Sequence, residues 1–208
     1  MTDPLPSPLK HAGRRTFLRV AALAAAALPL AACSGGEDSL AKQAREGNNK
    51  NYIAGDGSVE EYGPGSRTAP VEISAVAYDG TAIDSATWVG QATVLNFWYA
   101  ACAPCRIEAP HLVELSSEYE GKVEFIGINV RDEKEAAEAF ERTFGITYPS
   151  VQDTQGAIQL AMTQYVPLQA VPTTLVLDRQ GRVAARILGA AEKSTLKALI
   201  DTALTEAL

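Results

Sequence analysis

Cys102 and Cys105, in the run Cys102-Ala103-Pro104-Cys105, carry the chemistry most legible in this chain. They follow the apolar run Ala92-Thr93-Val94-Leu95-Asn96-Phe97-Trp98-Tyr99 and open a segment with the pattern of an amphipathic helix. A C-x-x-C pair at a strand-to-helix turn is well placed for thiol–disulfide exchange. Free backbone N–H groups and the helix dipole at the first turn favour a thiolate on Cys102. Cys105 lies close enough to be bridged to it with little backbone movement. The other chemistry open to such a pair is half of a zinc site, but zinc takes four ligands. After residue 32 the sequence holds one histidine, His111, and no second C-x-x-C. No metal and no cofactor is therefore expected.

The elements that must position this pair follow from periodicity. Residues 71–77 alternate as a strand, Tyr78-Asp79-Gly80 signals a turn, and residues 81–83 make a short returning partner. Residues 92–99 and 122–130 are apolar enough to be strands buried on both faces. Helices are predicted over 104–119, over 133–144 with Gly145 as its stop, over 156–165 and over 191–207. Residues 173–178 and 182–188 read as a hairpin around Arg179-Gln180-Gly181. Pro104 falls in a first helical turn, where proline is tolerated, whereas Pro110 removes a backbone bond and predicts a kink. Strand, helix, strand, helix, hairpin, helix predicts an α/β thioredoxin fold: a central mixed β-sheet flanked by helices, with an N-terminal strand or hairpin extension.

The 208 residues, 47% hydrophobic and 21% charged, suit one globular domain with appendages. Net charge is −7, and setting aside residues 1–32 leaves 14 basic against 24 acidic residues, net −10. A basic footprint is absent, which argues against nucleic acid as a partner. Cys33, the third cysteine, belongs with the N-terminal segment, so no disulfide framework is expected.

Residues 1–32 read as a signal peptide. Thirteen apolar residues, 20–32, are short for a bilayer span but fit a secretory h-region. Leu30-Ala31-Ala32-Cys33 looks like a bacterial lipobox, which makes Cys33 the expected lipidation site. Arg14-Arg15-Thr16-Phe17-Leu18-Arg19 resembles a twin-arginine export signal, with an ordinary signal peptide as the alternative. Residues 33–70, rich in Gly, Ser, Asn and charge, read as a flexible tether, with Tyr52-Ile53 and Tyr62 as points of contact with a domain over 71–208. These readings place the domain outside the cytoplasm, lipid-anchored to the cell membrane.

Asn96-Phe97-Trp98, then Cys102-Ala103-Pro104-Cys105-Arg106 with Glu108 and Pro110, then Val171-Pro172-Thr173-Thr174 resemble the TlpA/ResA-type membrane-anchored thioredoxin-like proteins. The similarity runs from about residue 71 to the C-terminus. It implies that Pro172 is cis and packs against the cysteine pair, offering the Val171 backbone to a client peptide. It also implies that Trp98 packs at the site and meets substrate there with Val171 and Pro172, and that Glu108 handles protons near Cys105; simple core packing is the plainer reading of Trp98, and a solvated helix glutamate that of Glu108. On chemical grounds Cys102 should be the exposed nucleophile and Cys105 the more buried resolving thiol. Asn96 stands where ordinary thioredoxins carry a buried aspartate, and Ala101 where they carry tryptophan. Arg106 either favours the thiolate or is an exposed helix arginine.

The resemblance implies a lipid-anchored dithiol reductase of protein disulfides, with apocytochrome c or another secreted client as substrate. A membrane thiol carrier would be the electron donor, and the setting would be cytochrome c-type biogenesis. A disulfide oxidase or isomerase for secreted proteins keeps the fold and reverses the direction. A copper-handling protein fits less well, since such relatives usually carry C-x-x-x-C and a distant histidine. A peroxidase also fits less well, since Tyr99 stands where a peroxiredoxin carries Thr or Ser.

Overall fold

The computed structural model describes residues 57–206. The expected signal peptide, Cys33, and the first part of the expected tether lie outside the described residues. The chain runs β1 (Val59–Glu61), β2 (Ser74–Val76), β3 (Ala82–Asp84), a 3-10 turn (Ser85–Trp88), β4 (Ala92–Trp98), α1 (Ala103–Glu118), β5 (Val123–Asn129) and α2 (Lys134–Phe144). It continues through β6 (Ser150–Gln152), α3 (Ala157–Ala161), β7 (Thr173–Leu177), β8 (Val183–Leu188) and α4 (Lys193–Thr205).

Six strands form one mixed sheet in the order β1-β8-β7-β4-β5-β6, with β2 and β3 as a separate hairpin. β4 and β5 pair in parallel, Trp98 opposite Asn129, while β4 and β7 are antiparallel, Asn96 opposite Thr174. This is the thioredoxin fold, as expected from the element order. β4 is buried along its whole length because both faces of the sheet are covered. Successive side chains alternate between those faces. Leu95 and Phe97 join Ile126, Ile128, Leu175, Met162 and Tyr165 on one side, whereas Val94 packs with Leu112, Leu115, Leu196 and Ile200 of α1 and α4 on the other. Asn96 takes the same parity as Val94 and so meets α1. Along the α1–α4 seam, Lys193 pairs with Glu114 and Lys197 with Glu118, each at 2.5 Å.

One boundary differs from the sequence reading. Residues 57–70, assigned to the tether, belong to the folded domain: β1 adds to β8 with Val59 opposite Ile187, and the Tyr62 ring packs edge-on against Tyr165. Arg67 bonds Asp178 and Glu206, its side chain only 4% exposed. Every residue of β1 is exposed, so its pairing rests on backbone hydrogen bonds and leaves no apolar alternation to read. β6 and the 3-10 turn, too short for a periodic signal, were likewise not anticipated. α1 runs on through Pro110. Among the described residues no helix is long and apolar enough to cross a membrane.

Candidate active site

Cys102 closes the loop after β4 and caps α1: the Cys105 backbone N–H donates to its sulfur at 3.3 Å. The two cysteines are joined in a disulfide, Cα to Cα 5.2 Å, the pairing expected of a C-x-x-C at a helix start. The geometry favours negative charge on Cys102 once the bond is reduced, because that N–H and the first helical turn face its sulfur.

Exposure departs from expectation. Cys102 is 0% exposed and Cys105 1%, so in the oxidised form neither sulfur is the open one. Both sit in a buried cluster with Tyr78, Trp98, Tyr99, Ala109, Phe140 and Val171, and the Val171 carbonyl oxygen lies 3.8 Å from Cys102 Sγ. The Val171–Pro172 bond is cis, in agreement with the family resemblance. Both residues are buried in this state.

Trp98 departs from the expectation that it meets substrate: it is 2% exposed and its ring stacks on Phe140 at 4.5 Å, with Phe140 against Phe144 at 4.6 Å. It supports the cysteine pair from within the core. β5 leaves room for it at Gly127, where an added Cβ would stand 2.8 Å from Trp98 Nε1 and 2.2 Å from Ser150 Oγ. Arg106 is exposed, yet engaged: Nη1 donates to the Ala100 carbonyl at 3.3 Å and the guanidinium lies 5.1 Å from the Phe144 ring centroid.

Glu108 is fully buried, which removes the reading of a solvated helix glutamate. Its Oε1 accepts from Asn96 Nδ2 and its Oε2 from the Ala191 backbone N–H, both at 2.7 Å. Asn96 also donates to Thr174 Oγ1 at 3.1 Å, tying β4, β7 and α1 together. Burial raises the Glu108 carboxyl to about 8 against the opposing pull of these two hydrogen bonds. One turn past Cys105, this is a group able to hold or give up a proton near neutrality. Ala191, which no motif singles out, is gripped on both sides, since its carbonyl also lies 3.1 Å from His111 Nδ1. Nearby, Gly189 N–H donates to the Pro172 carbonyl at 2.8 Å.

A thioredoxin fold with a disulfide across the first turn of α1 and a buried carboxyl one turn on defines a thioredoxin-like redox protein. The Redoxin family model matches residues 64–200, and the chain belongs to that family. It is similar to the thiol-disulfide oxidoreductase ResA of Geobacillus thermodenitrificans, 33% identical over 114 residues, which are 54% of this chain and 63% of the relative. It is also similar to the thiol:disulfide interchange protein HelX of Rhodobacter capsulatus, 31% identical over 115 residues, 55% of this chain and 62% of the relative. The match thus spans less than two thirds of these relatives' length. Among solved structures, a DsbF homologue from Corynebacterium diphtheriae superposes with TM-score 0.63 at 36% identity, covering 71% of this chain and 94% of that one. A secreted thiol-disulfide isomerase from Corynebacterium glutamicum gives TM-score 0.64 at 30% identity, covering 73% and 95%.

Proposed function

We propose that this protein is an extracytoplasmic thiol–disulfide oxidoreductase that reduces protein disulfides, held at the membrane by a lipid on Cys33. The observation that carries the activity is the Cys102–Cys105 disulfide, capped by the first turn of α1, with Glu108 buried one turn beyond. In the reduced protein the Cys102 thiolate attacks one sulfur of a client disulfide. The client bond breaks, a mixed disulfide forms, and the departing client sulfur takes up a proton. Cys105 then gives its proton to the Glu108 carboxylate and attacks Cys102 Sγ. That step expels the second client sulfur, which takes up a proton, and closes the Cys102–Cys105 bond. Two electrons pass from the protein dithiol to the client, and a membrane thiol donor restores the dithiol.

The cytochrome c setting rests on the family resemblance of the motifs. Apocytochrome c must present both thiols of its haem-binding pair, which gives a dedicated reductant outside the cytoplasm a purpose. The client peptide would run past Val171 and Pro172. Because both are covered when the cysteines are joined, reduction must open this surface before a client docks.

The opposite direction, a disulfide oxidase or isomerase, draws support from the N–H at Cys102 Sγ, since a stabilised thiolate makes the dithiol form the favoured one. Equilibration with glutathione separates the two. A potential near the thioredoxin value of about −270 mV supports the reductase, and one near the DsbA value of about −120 mV supports the oxidase. Activity itself is tested by turnover on a model protein disulfide. Cys102→Ser should abolish it, and undiminished turnover by that variant would refute the reading.

A further inference from the structure

We propose that Asp132 is a positioning residue for the nucleophile, fixing the loop that carries Cys102 by holding the peptide of Ala100. This rests on the reading of Cys102 as the nucleophile.

Ala100 lies two residues before Cys102, in the stretch between the last strand residue of β4 and the first turn of α1. Its N–H donates to Asp132 Oδ2 at 2.5 Å, and its carbonyl accepts from Arg106 Nη1 at 3.3 Å. One residue is thus gripped by a carboxylate on one side and a guanidinium on the other, each a charge-assisted hydrogen bond. Within the same loop, Cys102 N–H reaches the Tyr99 carbonyl at 3.2 Å.

Asp132 is itself held in place. Asn129, fully buried at the end of β5, donates from Nδ2 to Asp132 Oδ2 at 2.9 Å. Its Oδ1 accepts the backbone N–H groups of Asp132 at 2.7 Å and Arg131 at 3.1 Å, closing an Asx turn. Asn129 is the register partner of Trp98, and Val130 N–H donates to the Trp98 carbonyl at 3.0 Å. Rigid sheet, Asn129, Asp132, Ala100 and Cys102 therefore form one chain of contacts. A nucleophile displaced by a fraction of an ångström from the helix N–H groups loses both thiolate stabilisation and line of attack. Asp132 touches neither sulfur; its part is to place the one that reacts.

The test compares Asp132→Ala and Asp132→Asn in the full reduced chain. It reads the rate of Cys102 alkylation against pH, turnover on a model protein disulfide, and the unfolding midpoint. Asp132→Ala should slow alkylation and turnover roughly tenfold or more. Asp132→Asn keeps an oxygen for the Ala100 N–H and should restore most of the loss. Alkylation by Asp132→Ala within about twofold of the parent would overturn the proposal, as would Asp132→Asn failing as badly as Asp132→Ala, which would assign the effect to charge. If Asp132→Ala does not fold, Asp132→Ser reads the same property, because its oxygen sits one bond nearer the backbone and leaves Ala100 unheld. Unchanged alkylation there also overturns it. Cys102→Ser in parallel separates the two levels: turnover surviving without Cys102 sinks the proposed function, whereas Cys102-dependent turnover untouched by Asp132→Ala sinks this inference alone.

Discussion

Asn96 and Glu108 share a hydrogen bond of 2.7 Å inside the core, joining the central strand to the helix that carries the cysteines. A buried titrating group sits on α1, and the residue across from it on β4 cannot titrate. Of these two bonded residues, Glu108 is the one that can exchange a proton.

That arrangement has a pH signature in the oxidised protein, where neither Cys102 nor Cys105 titrates. The Glu108 carboxyl titrates near 8 when folded and near 4.5 when unfolded. Between those values the folded state binds the additional proton, so stability falls as pH rises from 4.5 to about 8. Thermal unfolding of the oxidised chain across this window should show that decline, and Glu108→Gln should flatten it. An equal slope in both proteins would contradict the assignment. In the reduced chain, Glu108→Gln should also slow closure of the mixed disulfide by about 10²-fold, the scale of general-base catalysis.

The indole of Trp98 depends on an absent side chain. Gly127→Ala would place a Cβ 2.8 Å from Nε1 and 2.2 Å from Ser150 Oγ, in a region packed too tightly to yield freely. Destabilisation of about 1–3 kcal/mol is expected from overpacking, measured by urea unfolding of the oxidised form. A neutral result would show that Trp98 and Ser150 can shift without cost.

Arg67 tests whether the domain begins before residue 71. Its guanidinium, almost fully buried, bonds Asp178 and Glu206. Arg67→Ala leaves the buried Asp178 carboxylate with Arg182 and the Gln180 N–H as partners and should cost about 2–3 kcal/mol in chemical denaturation. A chain starting at residue 71 should lose at least as much. Unchanged stability of that truncation would return residues 57–70 to the tether.

The main elements were legible in the sequence for physical reasons. β4 and β5 are apolar runs because both sheet faces are covered, and Gly145 ends α2 at φ 70°, where other residues are disfavoured. The cysteine pair and Pro172 declare themselves through spacing and motif. Sequence carries no sign that Glu108 is wholly buried, because a glutamate in an amphipathic helix ordinarily faces water. It is equally silent on Ala191 and Asp132, whose parts depend on a side-chain carboxyl 83 residues away and a backbone N–H 32 residues away along the chain. Nor does it show that Cys102 is covered when oxidised, where Val171, Tyr99 and Trp98 pack around the joined pair.

The central claim is that Cys102 attacks and Cys105 resolves. Reduced Cys105→Ser protein, mixed with a disulfide-bonded client and mapped by mass spectrometry after acid quench, tests it most directly. The account predicts a stable mixed disulfide through Cys102, absent from the Cys102→Ser variant. A client bound through Cys105 in that second variant at equal yield, or no mixed disulfide in either, would contradict it.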